Sequence, residues 1–344
     1  MQVKTLALTA LACAAAASFA ASGDARAPRL EAPVADELAY PGTVHTTLAP
    51  KGALRALAAT DFWGGTYTAS TGEAVTIYAS TAYPVDDARG QQWADFVASL
   101  VHGTELPSVK IYLETEDEVG RACGFRALAC YDPSTSTLIA PGDDPIDGPT
   151  SEAIVTHEYG HHIAAHRANN PWAAIDYGTK RWATYEQICP RAAQGVLSPG
   201  DENTNYTQNP GEAFAETYRV LNERKLGRAE TPWEIVEDLL YPDDAALAAI
   251  EQDVVTPWTG VTIMRYQGAT RTKTLTFATP LDGTFRATVR GPYRAEVLSA
   301  SGVRRAGPAT SASTNVCGAR TLRVRLTRVA TATKGAYQLT VTRP

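Results

Sequence analysis

The strongest chemical motif in the sequence is the segment His157-Glu158-Tyr159-Gly160-His161. Two histidines four positions apart lie above one another on one face of a helix, so both imidazoles can reach one Zn²⁺ ion. Glu158 lies next to that face, where its carboxylate can take a proton from a water at the metal. The motif therefore predicts a hydrolytic zinc site on a helix over residues 151–166. The alternative is a surface helix with scattered histidines.

The same helix carries two further histidines, His162 and His166, which are also four positions apart. On a helical wheel they fall at about 140° and 180° from His157, whereas His161 falls at about 40°. No glutamate follows His162, so this pair also lacks a base. We expect both to be structural histidines that face away from the metal. Gly160 is unfavourable inside a helix, and it predicts that another backbone packs closely behind the metal site.

A zinc ion held by two histidines needs a third protein ligand. The metzincin arrangement requires a glycine and a histidine three and six residues beyond His161, where this chain has Ala164 and Arg167, so that class is excluded. A later helical segment offers Glu212 and Glu216 on the same face, one turn apart. We expect one carboxylate, Glu212, to bind the metal and the other to support a ligand histidine.

These two glutamates also have purely structural interpretations. Asn209 and Pro210 are typical of an N-cap and a first helical residue, which puts Glu212 at the position of a capping-box glutamate. Glu216 could simply pair with Arg219. Asp176 is the reserve candidate for the third ligand.

Together, the two motifs resemble the gluzincin metallopeptidases. The spacing of Tyr206, Glu212 and Glu216 is similar to that in the catalytic domain of anthrax lethal factor, although Tyr206 lies about one residue closer to Glu212. The resemblance covers only two helices and the loop before the second. It implies a zinc-dependent peptidase acting on a peptide or protein substrate. It also implies that His157, His161 and Glu212 are the zinc ligands and that Glu158 is the general base. By the same resemblance, Tyr206 donates a hydrogen bond to the oxyanion and Glu216 supports a ligand.

The pattern of the elements around these motifs predicts an α+β fold. The composition, with 44% hydrophobic and 20% charged residues, excludes disorder, collagen and a membrane bundle. Hydrophobic periodicity predicts a mixed sheet followed by helices, which we interpret as a zincin-like metallopeptidase domain over residues 61–261. The predicted strands cover 66–79, 109–114 and 137–140, and the predicted helices cover 87–101, 151–166, 179–187, 210–225 and 232–254.

Charge and periodicity both change near residue 261. Residues 21–261 contain 16 basic and 35 acidic residues, whereas residues 262–344 contain 14 basic and 2 acidic ones. The second segment alternates apolar and polar residues around Phe285, Leu322 and Tyr337, which predicts a small antiparallel β-sandwich domain over 262–344. Its layout resembles the small β domains that follow many secreted bacterial peptidases.

The N-terminal residues are typical of an exported protein. Lys4 precedes a short apolar run that ends at Ala20, which predicts a signal peptide over 1–20 and no transmembrane segment. A lipoprotein site at Cys13 is the less favoured interpretation. Residues 21–60 are rich in Pro and Ala and indicate a linker or pro-segment. We therefore expect a secreted, extracellular protein.

Four cysteines remain after the predicted leader, and an even number in an oxidising compartment predicts two disulfides. Three pairings are formally possible. Cys123 and Cys130 are close in sequence within a turn-rich segment, which favours their pairing. Elimination then pairs Cys189 with Cys317.

Two other functional classes stay open at this point. The chain could be a zinc hydrolase acting on cell-wall or other non-protein amides, or a non-catalytic surface-binding protein with a structural metal. The basic segment 262–344 either docks on the acidic domain, or faces outward and contacts anionic cell-wall or surface material, or is merely a soluble arginine-rich surface. Nothing in the sequence indicates a specific nucleic-acid partner.

Overall fold

A five-stranded mixed sheet forms the first part of the computed structural model, which describes residues 62–124, 127–146 and 148–344. The signal peptide and linker expected over 1–20 and 21–60 lie outside these described residues. The three central strands are parallel to one another, and an antiparallel strand flanks them on each side. In spatial order the strands are β1 (Phe62–Thr68), β2 (Ala74–Ser80), β3 (Lys110–Glu114), β5 (Thr137–Pro141) and β4 (Cys130–Asp132).

The helices around this sheet follow the sequence prediction closely near the metal motifs and less closely elsewhere. Asp86, Thr150 and Asn209 cap α1, α3 and α7 with their side chains. The predicted helix 232–254 is wrong in its first half, because Pro242 interrupts it and Asp243 caps a new start. The helices are α1 (Asp87–Ser99), α2 (Glu116–Cys123), α3 (Ser151–Ala165), α4 (Ala174–Tyr177), α5 (Lys180–Tyr185), α6 (Ile188–Ala193), α7 (Pro210–Lys225) and α8 (Asp244–Val255).

The predicted strand 66–79 is in fact part of a hairpin. β1 and β2 pair in antiparallel register, and the turn between them uses Gly72 at a φ of +92°, a conformation that favours glycine. Because apolar residues lie on both sides of the turn, hydrophobic periodicity alone does not reveal it. No helix among the described residues is both long and apolar enough to cross a membrane.

Helices α3 and α7 form the centre of the first core. All but two residues of α3 are buried, and its apolar side chains share one cluster with the sheet and α7. A Cβ atom on Gly160 would lie 2.8 Å from the Cα of Ala215 in α7. This is the close backbone approach that Gly160 predicts, and no larger residue fits there without moving one helix.

Eight strands make the later, all-β region. The alternating runs around Phe285, Leu322 and Tyr337 form β8, β12 and β13 as predicted. All strand pairs are antiparallel, and the two four-stranded sheets enclose one apolar core. In spatial order, one sheet consists of β10 (Arg304–Ala309), β9 (Tyr293–Ser299), β12 (Thr321–Arg328) and β7 (Thr272–Ala278). The other consists of β11 (Ser311–Val316), β8 (Gly283–Arg290), β13 (Tyr337–Arg343) and β6 (Thr262–Gly268).

A covalent bond and a buried lysine join the β region to the helical region. Both predicted disulfides, Cys123–Cys130 and Cys189–Cys317, are present. Lys180 donates hydrogen bonds from Nζ to the carbonyl oxygens of Asn170 at 2.7 Å and Asp282 at 3.0 Å. Among the described residues, no arginine of 262–344 forms an ion pair with a carboxylate of the earlier region. The contact therefore does not use the basic side chains that suggested docking.

The two disulfides should contribute unequally to stability. The Cys189→Ser/Cys317→Ser variant opens a loop with a sequence separation of 128, whereas Cys123→Ser/Cys130→Ser opens one of 7. Chain entropy predicts losses of about 5 and about 2 kcal/mol in the free energy of unfolding. Urea unfolding of both variants under non-reducing conditions measures the two losses. Equal losses would contradict the loop-entropy account.

Candidate metal centre

Three buried side chains from two antiparallel helices meet beside the Gly160 contact. His157 and His161 come from α3 and Glu212 from α7, and their potential ligand atoms all lie within 4.8 Å of one another. The Oε2 atom of Glu212 is 3.2 Å from Nε2 of His157 and 3.4 Å from Nε2 of His161. This group can hold a metal ion. It is the third-ligand arrangement that the sequence favours, with Glu212 rather than Asp176.

The charges in this group are arranged for a cation. Burial lowers the pKa of His157, but hydrogen bonds with Glu212 and Glu216 outweigh it and raise that pKa to about 10. Burial alone would raise the pKa of Glu212, yet the charge of His161 and the hydrogen bond with His157 hold it well below the usual range. Glu212 is thus a carboxylate that stays ionised while fully buried, as a metal ligand must.

His161 provides a test of whether a metal fits. Its side chain is 1% exposed, Nδ1 makes no hydrogen bond with any described residue, and the nearest partner of Nε2 is the Glu212 carboxylate at 3.4 Å. A buried polar group without a hydrogen bond costs about 1–3 kcal/mol, so such groups in native structures have a specific reason. Coordination of a metal ion by Nε2 would give that nitrogen a partner, and the donor set of two imidazoles and one carboxylate suits Zn²⁺.

Glu158 is the second buried group without a partner. It is fully buried, and neither carboxylate oxygen accepts a hydrogen bond within the described part of the chain. Burial raises its pKa well above the usual value, against the charge of His157, and the charges of Glu212 and Glu202 raise it further. A carboxyl group with a raised pKa beside a metal group has the properties of a general base that must hold a proton and release it.

Glu216 fixes the orientation of His157. Its Oε1 accepts a hydrogen bond from His157 Nδ1 at 2.7 Å, which directs Nε2 toward Glu212. Arg219 donates from Nε to both oxygens of Glu216 at 3.1 Å. Arg219 also donates from Nη1 to Glu223 at 2.6 Å, and Glu223 accepts from the hydroxyl of Thr231 at 2.6 Å. Glu216 therefore both supports His157 and pairs with Arg219, which are the two interpretations that the sequence offers.

Tyr206 lies at the metal group, but its hydroxyl is directed at a ligand. The OH donates to Oε2 of Glu212 at 2.6 Å. Asn209 organises the loop beside it, because Oδ1 accepts from the amides of Gly211 and Gly200 while Nδ2 donates to Glu202 at 2.7 Å. The N-cap role of Asn209 follows from the sequence. Its contact with Glu202 does not, since only the tertiary fold shows it.

The remaining candidate residues lie outside this group. His162 has Nδ1 2.9 Å from the hydroxyl of Tyr131 and Nε2 3.3 Å from that of Ser108. Burial and the charge of His166 lower the pKa of His162 to about 4, so it is neutral. His166 contacts the same Ser108 hydroxyl, and Asp176 lies beside Gly200. Both histidines thus have the structural role expected from the helical wheel.

No protein-family model matches the chain, and no curated protein matches its sequence. The resemblance to gluzincins stays a prediction, carried by the residues of α3, α7 and the loop before α7. The chemistry of those residues is the basis for the function proposed below.

Metal content should separate the ligands from the other candidates. We expect Glu212→Ala and His161→Ala to lose bound metal, because each removes one of three ligands. His162→Ala and Asp176→Ala should retain it, since neither side chain reaches the group. Elemental analysis after dialysis measures this directly. Loss of metal in Asp176→Ala together with retention in Glu212→Ala would show that Asp176, and not Glu212, is the third ligand.

Removal of Arg219 should be far more damaging than removal of an exposed arginine on the same helix. Arg219→Ala leaves Glu216 and Glu223 buried without their cation, and we expect a loss of about 3–5 kcal/mol in the free energy of unfolding. Arg224 is partly exposed and pairs with Glu230, so Arg224→Ala should cost at most about 1 kcal/mol. Urea unfolding compares the two, and similar losses would refute a role for Arg219 in neutralising the buried carboxylates.

Proposed function

We propose that this protein is a secreted zinc metallopeptidase with a zincin-like catalytic domain and a β-sandwich domain. The observation that carries the proposal is the buried, unpartnered carboxylate of Glu158 beside the His157, His161 and Glu212 group. A structural zinc site is closed by four protein ligands, whereas a catalytic one has three and keeps one position for water or substrate. A purely structural site also has no use for a base next to the metal.

His157, His161 and Glu212 would hold the zinc ion. When bound at such a site, zinc lowers the pKa of a water molecule toward neutrality and polarises a carbonyl group. Two imidazole nitrogens and one carboxylate are a ligand set typical of catalytic zinc in peptidases.

Glu158 performs the proton transfers. Its carboxylate accepts the proton of the attacking water and then gives it to the nitrogen of the leaving amine. The apolar surroundings of Glu158, which raise its pKa, favour the protonated form during the interval between these two steps. The products are a new carboxyl terminus and a new amino terminus, so one water is consumed for each peptide bond.

Glu216 and Tyr206 support the ligands. Glu216, held by Arg219, fixes the ring of His157. Resemblance to lethal factor implies that Tyr206 donates to the oxyanion of the tetrahedral intermediate. Its hydroxyl is bonded to Glu212 at 2.6 Å, so we assign to Tyr206 the orientation of the ligand carboxylate as well.

Two disulfides support the proposal of export. Such bonds persist in oxidising compartments and are rare in the reducing cytosol.

Glu158→Gln should give a folded, metal-loaded and inactive protein. The amide cannot accept the proton, while the three ligands are unchanged, so peptidase activity should fall by at least about a hundredfold. Glu152→Gln is the matched control, because Glu152 lies on the same helix but is exposed and pairs with Arg228. Peptide hydrolysis and metal content are measured in parallel. Activity retained in Glu158→Gln would end this mechanism.

Digestion of casein with and without a chelator separates the proposed function from its alternatives. Cleavage that the chelator stops and zinc restores supports a peptidase. Intact casein with metal-dependent release of amino groups from purified cell wall would instead indicate a zinc amide hydrolase. Failure on both substrates by metal-loaded protein would favour a non-catalytic binding protein.

A further inference from the structure

One outer face of the β region carries arginines without acidic partners. Gln338, Thr340 and Thr342 alternate along β13 with the buried residues of the core. In the neighbouring strands, Arg290 pairs in register with Gln338 and Arg286 with Thr342. Because residues opposite one another across a sheet point to the same side, both arginines lie on the solvent side of this sheet.

Arg265 completes this surface. It pairs in register with Thr340 from the other side of β13. We call the outward side of β11, β8, β13 and β6, with Arg265, Arg286 and Arg290, the arginine face. All three arginines are exposed, and none forms an ion pair with a described residue.

No carboxylate lies on the arginine face. Residues 262–344 contain only two acidic residues, Asp282 and Glu296. Asp282 is buried at the join with the helical region and pairs with Arg320. Glu296 lies in the opposite sheet, where it pairs with Arg304 and Arg325 at 2.7 and 2.6 Å. The opposite sheet therefore has one carboxylate among its arginines, whereas the arginine face has none.

The spacing of the charges limits the kind of partner. Strand geometry puts Arg286 and Arg290 about 13 Å apart, and Arg265, two strands across and two residues along, about 12 Å from each of them. Duplex DNA carries one charge per about 1.7 Å, a much higher density than this face presents. The face also has no aromatic side chain on which a base could stack, and Ile263 is its one large apolar residue for membrane insertion.

The area between the arginines consists of hydrogen-bonding side chains. Most of these side chains carry hydroxyl groups and Gln338 carries an amide, and both kinds of group can donate to and accept from the hydroxyl groups of a sugar chain. Each guanidinium can bind a carboxylate through two parallel hydrogen bonds. The residues concerned include Thr284, Thr288, Ser313, Gln338, Thr340 and Thr342.

We infer that the arginine face binds a linear polysaccharide that carries carboxylate groups at intervals. Sparse positive charges among many neutral hydrogen-bonding groups match a polymer with sparse negative charges among many hydroxyl groups. Binding of this kind holds the protein on an acidic polysaccharide surface, independently of the metal centre.

Binding of the full-length chain to immobilised hyaluronate, which carries one carboxylate per disaccharide, tests the inference. The test variant is Arg265→Gln/Arg286→Gln/Arg290→Gln. The control is Arg294→Gln/Arg305→Gln/Arg323→Gln, which removes the same charge from the opposite sheet. At about 0.15 M salt we expect the test variant to bind at least about tenfold more weakly and the control to change less than about twofold.

Thermal unfolding of each variant shows whether the fold is kept. If the triple variant unfolds, the single variants Arg286→Gln and Arg290→Gln serve instead, each with an expected loss of about two- to threefold. Equal loss in test and control variants, or no binding by the unmodified chain, would overturn the inference. Tighter binding to duplex DNA or to vesicles containing phosphatidylglycerol would overturn it in favour of those partners.

Discussion

The contact of the α3 and α7 backbones at Gly160 and Ala215 is the constraint on which the metal centre depends. His157, Glu158 and His161 come from one helix, and Glu212 comes from another that begins much later in the chain. The close approach of the two backbones lets the Glu212 carboxylate lie 3.2 Å from Nε2 of His157 and 3.4 Å from Nε2 of His161. Because Gly160 has no side chain, the two helices approach closely, and this approach determines the distance from Glu212 to His157 and His161.

The second constraint is the free-energy cost of burying charged groups, and the structure offsets it by placing buried charges of opposite sign next to one another. From the metal group outward, the order is His157, Glu216, Arg219 and Glu223, so each buried charge lies between groups of opposite sign or hydrogen-bond donors. This arrangement offsets much of the cost of burying ions, and it makes every member dependent on the others. The same row of bonds runs along α7, so the stability of that helix and the geometry of the ligands are linked.

The sequence predicts best where local geometry determines the result. Helical spacing identifies His157 and His161, and the same reasoning separates His162 from them. The strand prediction fails at the turn around Gly72, which lies between two apolar runs. The contact of Glu223 with the loop residue Thr231 has no signal in the sequence, because only the tertiary fold brings the two together. The Cys123–Cys130 pairing follows from spacing and the Cys189–Cys317 pairing from elimination, and both bonds are present. The net charges of the two regions suggest a docking contact, but among the described residues the arginines of 262–344 form no ion pair across it.

The join between the helical and β regions has a mechanical consequence. The β region is attached twice: through the main chain after α8, and through Cys317, which is bonded to Cys189 in α6. A domain attached at one point can rotate freely about that point, whereas attachment at two points leaves at most one rotation, about the line that joins them. The hydrogen bonds of the buried Lys180 to both regions oppose this remaining rotation. A pull on the β region is therefore carried by covalent bonds into the helices beside the metal group rather than absorbed by a linker. The metal group consequently keeps one direction relative to any surface to which the β region is bound.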